Sequence, residues 1–157
     1  MSDSCSVLIV GAGNEYRCDD GVGIMVAREL GKMRPDNTRI VEGLHDATAL
    51  LDLWQGMRAV YLIDAVRSGG RPGQIYRFNP FIEEMPVELE GNFSTHSTSV
   101  TAAIELGKSL GNLPATLVVC GIEGKNFSSG SGLTPEVEEA GRKISRVILD
   151  EIKHLNI

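Results

Sequence analysis

The 157-residue chain has only three cysteines, Cys5, Cys18 and Cys120, and none stands in a Cys-x-x-Cys pair. An odd number without that spacing offers neither a disulfide framework nor a zinc ribbon, and it fits a reduced, cytoplasmic setting. No cysteine-based catalytic motif surrounds Cys18 or Cys120, so both read as bystanders. Clusters of Lys and Arg are missing as well. Fifteen basic residues face 21 acidic ones, for a net charge of −6 and a pI of about 5.1. That balance excludes nucleic acid and anionic membrane as expected partners. Long apolar runs are also absent, and those around residues 6–10 and 117–120 are far too short to cross a bilayer. The first six residues carry no basic group, and the apolar run after them is broken by Gly11 and Gly13, so no export signal is expected.

The composition is that of a folded globular protein. Hydrophobic residues make up 42% and charged residues 23%, which suits a single domain over 1–157 with a real core. Apolar runs and helical spacing alternate along the chain. Strands are expected at 7–10, 39–42, 59–63, 74–78 and 116–120. Helices are expected at 21–32, 47–54 and 97–110, and in a long C-terminal segment. That last helix opens on Thr134 as N-cap with Pro135 behind it, followed by Glu136, Glu138 and Glu139 at the positive end of the dipole. Val137, Ala140, Ile144, Val147, Ile148, Ile152 and Leu155 form its apolar stripe. Residues 81–93 read as an acidic loop and 125–132 as a Gly/Ser loop.

Strands alternating with helices predict an α/β three-layer sandwich, with a twisted, mixed, mostly parallel sheet of about five strands and helices on both faces. The short link around Arg71 to Gly73 predicts that the third and fourth strands pair antiparallel. Functional groups in such sheets gather beyond the carboxyl ends of the parallel strands. Three polar segments fall there: the stretch 11–23 after the first strand, Asp64 after the third, and His96 ahead of the third helix. Two carboxylates and an imidazole suit a divalent transition metal with open positions for water or substrate.

Each piece also has a plainer reading. Gly11-Ala12-Gly13 is a tight strand-to-helix turn; the third glycine of a dinucleotide fingerprint would fall at Tyr16. Asp19 and Asp20 are placed to cap the helix that follows, or one caps while the other projects outward. A carboxylate such as Asp64 at the end of an apolar strand is seldom filler, because its unpaired burial is costly. His96 alone suits an ordinary surface or capping position. His45 reads as a loop residue and His154 as a helix C-terminal residue.

Taken together, four segments resemble the hydrogenase maturation proteases. They are Gly11-Ala12-Gly13-Asn14 with Asp19-Asp20-Gly21-Val22-Gly23; Asp64-Ala65 with Pro72-Gly73-Gln74-Ile75; Ser94-Thr95-His96; and Gly132-Leu133-Thr134-Pro135. They run in the family's order over nearly the whole chain. The resemblance implies a five-stranded mixed sheet between helices. It implies one endoproteolytic cut near the C-terminus of a nickel–iron hydrogenase large-subunit precursor, after nickel insertion. It also implies Asp20, Asp64 and His96 as catalytic and metal-contacting residues, with nickel presented by the precursor and other divalent cations able to take its place. Asp19 matches the acidic position before the metal position. A monomer in the cytoplasm is expected. One departure is Ser97-Thr98-Ser99-Val100, where many relatives have a Gly-Leu pair, which bears on the substrate subgroup.

Two rival readings remain at this stage. A nickel-binding or chaperone-like module would use the same three residues without cutting. Peptidyl-tRNA hydrolases share the opening Gly-x-Gly-Asn, but Glu15-Tyr16 follows here with no histidine nearby, and the acidic charge opposes a tRNA ligand. No Ser/His/Asp, Cys/His or HExxH arrangement is present.

Overall fold

The computed structural model describes residues 5–44, 46–94 and 100–155. Its strands are β1 (Val7–Gly11), β2 (Thr38–Glu42), β3 (Ala59–Val66), β4 (Ile75–Phe78) and β5 (Thr116–Glu123). Its α-helices are α1 (Val22–Met33), α2 (Ala47–Trp54), α3 (Val100–Leu110) and α4 (Pro135–Lys153). Short 3-10 turns occupy Cys18–Gly21 and Val87–Leu89. The sheet order is β2-β1-β3-β5-β4. β2, β1, β3 and β5 are parallel, and β4 runs antiparallel along the outer edge of β5.

This is the expected mixed sheet with one pairing changed. β4 was expected beside β3, but β5 lies between them. β5 is buried along nearly its whole length and pairs with all eight residues of β3. A strand buried along nearly its whole length takes an interior position. β4, of which only Phe78 is fully buried, fits an edge. β3 and β5 are also longer than the apolar runs implied. β3 continues past Ile63 through Asp64, Ala65 and Val66, and β5 past Cys120 to Glu123. Asp64 was read as following the third strand and Cys120 as the last residue of the fifth, whereas both backbones stay in the ladder for three more residues.

Alternation along β1 and β3 divides the core between two faces. Val7, Ile9, Tyr61 and Ile63 meet Val22, Val26 and Leu30 of α1 and the α4 stripe on one side. Leu8, Val10, Val60 and Leu62 meet Leu50, Trp54, Val100 and Ile104 of α2 and α3 on the other. Each fully buried side chain of this size contributes about 1.5–3 kcal/mol, so both helical layers are held mainly by the sheet. Val147 departs from the expected α4 stripe, being 36% exposed at its margin.

Candidate functional site

The segment between β1 and α1 folds as a set of interlocked glycines. A Cβ on Gly11 would lie 2.1 Å from the Gly23 carbonyl oxygen, and one on Gly13 2.0 Å from that of Asp20. A Cβ on Gly23 would lie 2.4 Å from the carbonyl oxygens of both Ala12 and Ile63. Gly13 also has φ +118°, in the region glycine tolerates and other residues avoid. The glycines thus let α1 start directly on the ends of β1 and β3. They fold the intervening residues back so that the Cys18–Gly21 turn packs against β3.

This geometry gives the two adjacent aspartates different surroundings. Asp19 is fully buried. Its Oδ2 accepts from the backbone N–H groups of Lys125 at 2.8 Å and Asn126 at 2.9 Å, and its Oδ1 from that of Thr134 at 2.8 Å. The Thr134 hydroxyl also donates to it. Neither aspartate caps its own helix, since the 3-10 turn and α1 have no side-chain cap bond. Asp19 instead fastens the loop after β5 and the start of α4, more than a hundred residues away in sequence. Asp20 is 7% exposed. Its Oδ2 accepts from the Asn14 backbone N–H at 3.1 Å, while its buried Oδ1 has no hydrogen-bond partner among the described residues.

Asp64 lies within β3 rather than beyond it. β1 ends at Gly11, opposite Ile63, so Asp64 is one residue past the carboxyl end of β1 while still paired with Gly121 of β5. It is 1% exposed, and its Oδ1 accepts from the Ala65 N–H and from the Ser94 hydroxyl, both at 2.8 Å. Ser94 in turn shares a cavity of about 410 Å³ with Asp20, Asn14, Arg17, Arg67 and Phe127. Asp20 and Ser94 thus line one cavity, and Asp64, outside the lining, is tied to it through Ser94. His96 and His45 fall outside the described residues. Among those described, no three metal-binding side chains are grouped.

Residues with no role assigned from sequence complete the cavity. Arg67 follows the last residue of β3, and its backbone N–H bonds the Asn92 carbonyl at 2.8 Å. Its guanidinium carbon stands 5.1 Å from the centre of the Phe127 ring. An arginine just past the carboxyl end of a buried strand lies where site residues are sought, and that position is the one signal pointing to it. Cys120 is fully buried, and burial pushes its thiol up to about 12, so it stays protonated and inert near neutral pH. His154 bonds the Asp150 carbonyl at the end of α4 through Nδ1, as a helix-end residue.

The family model for hydrogenase maturation proteases matches residues 24–151. The chain belongs to the hydrogenase maturation protease family. A Methanocaldococcus jannaschii protein named for this family is 32% identical over 155 residues, covering 94% of this chain and 96% of the relative. The fold matches a nickel–iron hydrogenase maturation protease from Thermococcus kodakarensis with a TM-score of 0.73, at 19% identity, over 98% of this chain and 96% of that one. It also matches a hydrogenase maturating endopeptidase from Escherichia coli with a TM-score of 0.72, at 22% identity, over 94% and 91%. Family membership makes the protein a hydrolase of hydrogenase maturation and sets aside the peptidyl-tRNA hydrolase reading. No helix among the described residues is long and apolar enough to cross a membrane.

Proposed function

We propose that this maturation protease removes the C-terminal extension of a nickel–iron hydrogenase large-subunit precursor once nickel has been inserted. The nickel held by the precursor is then the recognition mark, and Asp20, Asp64 and His96 complete its coordination. The observation that carries this reading is Asp20 Oδ1, a buried carboxylate oxygen with no hydrogen-bond partner among the described residues, on a side chain that lines the cavity. Leaving such an atom unpaired is costly, and a cation brought by the substrate would offset that cost. Carboxylates with an imidazole form a donor set that nickel accepts. In this scheme the Ser94 hydroxyl and the Ala65 N–H hold Asp64 Oδ1 in place, as outer partners orient metal-binding groups. The substrate's nickel would polarise the scissile carbonyl or a bound water. The chain's own contribution is to orient that centre and to supply negative charge around it.

Three ligands of this kind make an incomplete site, so weak metal binding by the free protein is part of the proposal. We place the protein in the cytoplasm as a monomer, beside its precursor. The test is to incubate it with the cognate precursor, with and without nickel loading, and to weigh the products. One C-terminal loss that requires nickel and disappears in Asp20→Ala and His96→Ala is the expected result. Nickel-loaded precursor that binds and is never cut would assign the protein to a non-enzymatic nickel-binding role.

A further inference from the structure

The cavity that holds Asp20 also carries two cationic side chains that this scheme does not use. Arg17 lies on the turn before Asp20, and Arg67 lies just past β3. Neither makes an ion pair among the described residues, although the chain has six more acidic than basic groups and Asp20 lines the same cavity.

Arg67 is nevertheless held in place. Its backbone is tied to Asn92, and its guanidinium is seated on the Phe127 ring. The ring itself is fixed. It is 9% exposed and lies so near Gly124 that a Cβ there would stand 2.5 Å from its Cζ. Its loop is fastened at Lys125 and Asn126 by the buried Asp19. A chain of contacts thus runs from Asp19 through the loop and Phe127 to Arg67. Seating on a ring covers one flat side of a guanidinium and leaves its N–H edge free.

We infer that Arg67, with Arg17 lining the same cavity, forms a carboxylate-binding subsite that takes an acidic group of the precursor and aligns the polypeptide against Asp20. The fork of N–H donors matches a carboxylate through paired charge-assisted bonds, and the concave wall strengthens their field. The carboxylate is either the end of the C-terminal extension or an Asp or Glu side chain flanking the cut. Arg67 is then a specificity residue acting on binding, and Phe127 a positioning residue acting through it.

The inference rests on the protease reading, and the test separates the two. Cleavage of nickel-loaded precursor is followed for wild type, Arg67→Ala, Arg67→Gln, Arg67→Lys and Arg17→Ala, and precursor binding is measured in parallel by surface plasmon resonance. Loss of one charge-assisted contact predicts a rise of about tenfold in KM for Arg67→Ala with kcat nearly unchanged, and a smaller rise for Arg67→Lys. Precursors in which acidic residues near the cut are changed one at a time to amides, and one ending in a C-terminal amide, identify the source. The precursor that has lost the relevant carboxylate raises KM with wild type and adds nothing further with Arg67→Ala. Arg67→Gln keeps the size of the side chain, so if the alanine variant melts early the glutamine variant decides. Wild-type KM in both neutral Arg67 variants overturns the subsite. So does a loss in those variants that no neutralised precursor reproduces. Arg67-dependent binding without any cleavage retains the subsite and discards the protease reading.

Discussion

Asp19 and Asp20 are neighbours in one motif, yet their surroundings assign them opposite work. Asp19 satisfies three backbone donors and a hydroxyl, so removing it leaves buried N–H groups unpaired at the start of α4 and in the 125–126 loop. Asp19→Ala should therefore cost about 3 kcal/mol or more. Asp20 accepts one hydrogen bond and keeps one oxygen unpaired among the described residues, so Asp20→Ala should change stability by less than about 1 kcal/mol while abolishing cleavage. Urea titrations of the two variants, followed by circular dichroism, check this contrast. Equal destabilisation by both would remove the division of roles. The sequence placed both carboxylates between β1 and α1, where the structure has them. It could not separate them, because the partners of Asp19 lie at Lys125, Asn126 and Thr134, and nothing local to residue 19 announces a contact across that distance. Arg67 was hidden for the opposite reason: a lone arginine acquires meaning only from the ring it rests on.

Within a single element, α1 contains two glycines whose substitution should have opposite effects. Gly23 lies in its first turn, where a Cβ meets two backbone carbonyl oxygens at 2.4 Å. Backbone cannot rotate away as a side chain can, so Gly23→Ala must push α1 off β1 and β3, at a cost of about 2–3 kcal/mol. Gly31 lies exposed in the last turn of the same helix, and beyond the helix's own backbone no atom of the described residues comes within 4 Å of the position a Cβ would take. Gly31→Ala only removes the freedom of the unfolded chain, and should add about 0.5–1 kcal/mol. Thermal melts of the two single variants should move in opposite directions; a shared direction would mean that the interlocked turn does not set the seat of α1. Elements such as these were largely legible from pattern. α2 was read at its observed bounds because Leu50, Leu51 and Trp54 give an apolar face, and α4 because of Thr134-Pro135 and its stripe; the Asp46 cap of α2 emerges only from the structure. Strand pairing was less legible. The place of β5 between β3 and β4 depends on which strand needs two covered edges, a property of the assembled sheet.

At the scale of the whole molecule, the sheet and α4 are joined by a polar cluster whose proton balance predicts how the fold responds to alkali. The Tyr61 hydroxyl on β3 donates to Glu151 Oε1 of α4 at 3.1 Å, and Arg77 on β4 donates to the same oxygen at 2.7 Å. The Cys120 thiol is buried on the same face of the sheet as Tyr61. Burial, and then Glu151, raises Tyr61 well above its ordinary 10.0. Burial likewise raises Cys120 from 9.0 to about 12, against the lowering pull of Arg77. Both groups are neutral in the folded chain, and the unfolded chain gives up these protons first as pH rises. Above pH 9 the native state therefore binds more protons than the unfolded one, and stability falls with pH. Their contribution is complete below the unfolded values and is lost as pH climbs toward 12. The guanidinium midpoint should thus hold steady between about pH 7 and 8.5 and fall between about pH 9 and 11. Other groups also titrate in alkali, so the decisive comparison is with the Tyr61→Phe, Cys120→Ala double variant. That variant starts from a lower midpoint, having lost a hydrogen bond and a buried sulfur, but its decline with pH should be shallower. A decline as steep as that of wild type would mean that the joint between β3, β5 and α4 opens before either group is forced to ionise in place. The alkaline limit of the fold would then belong to its surface charges and not to this buried cluster.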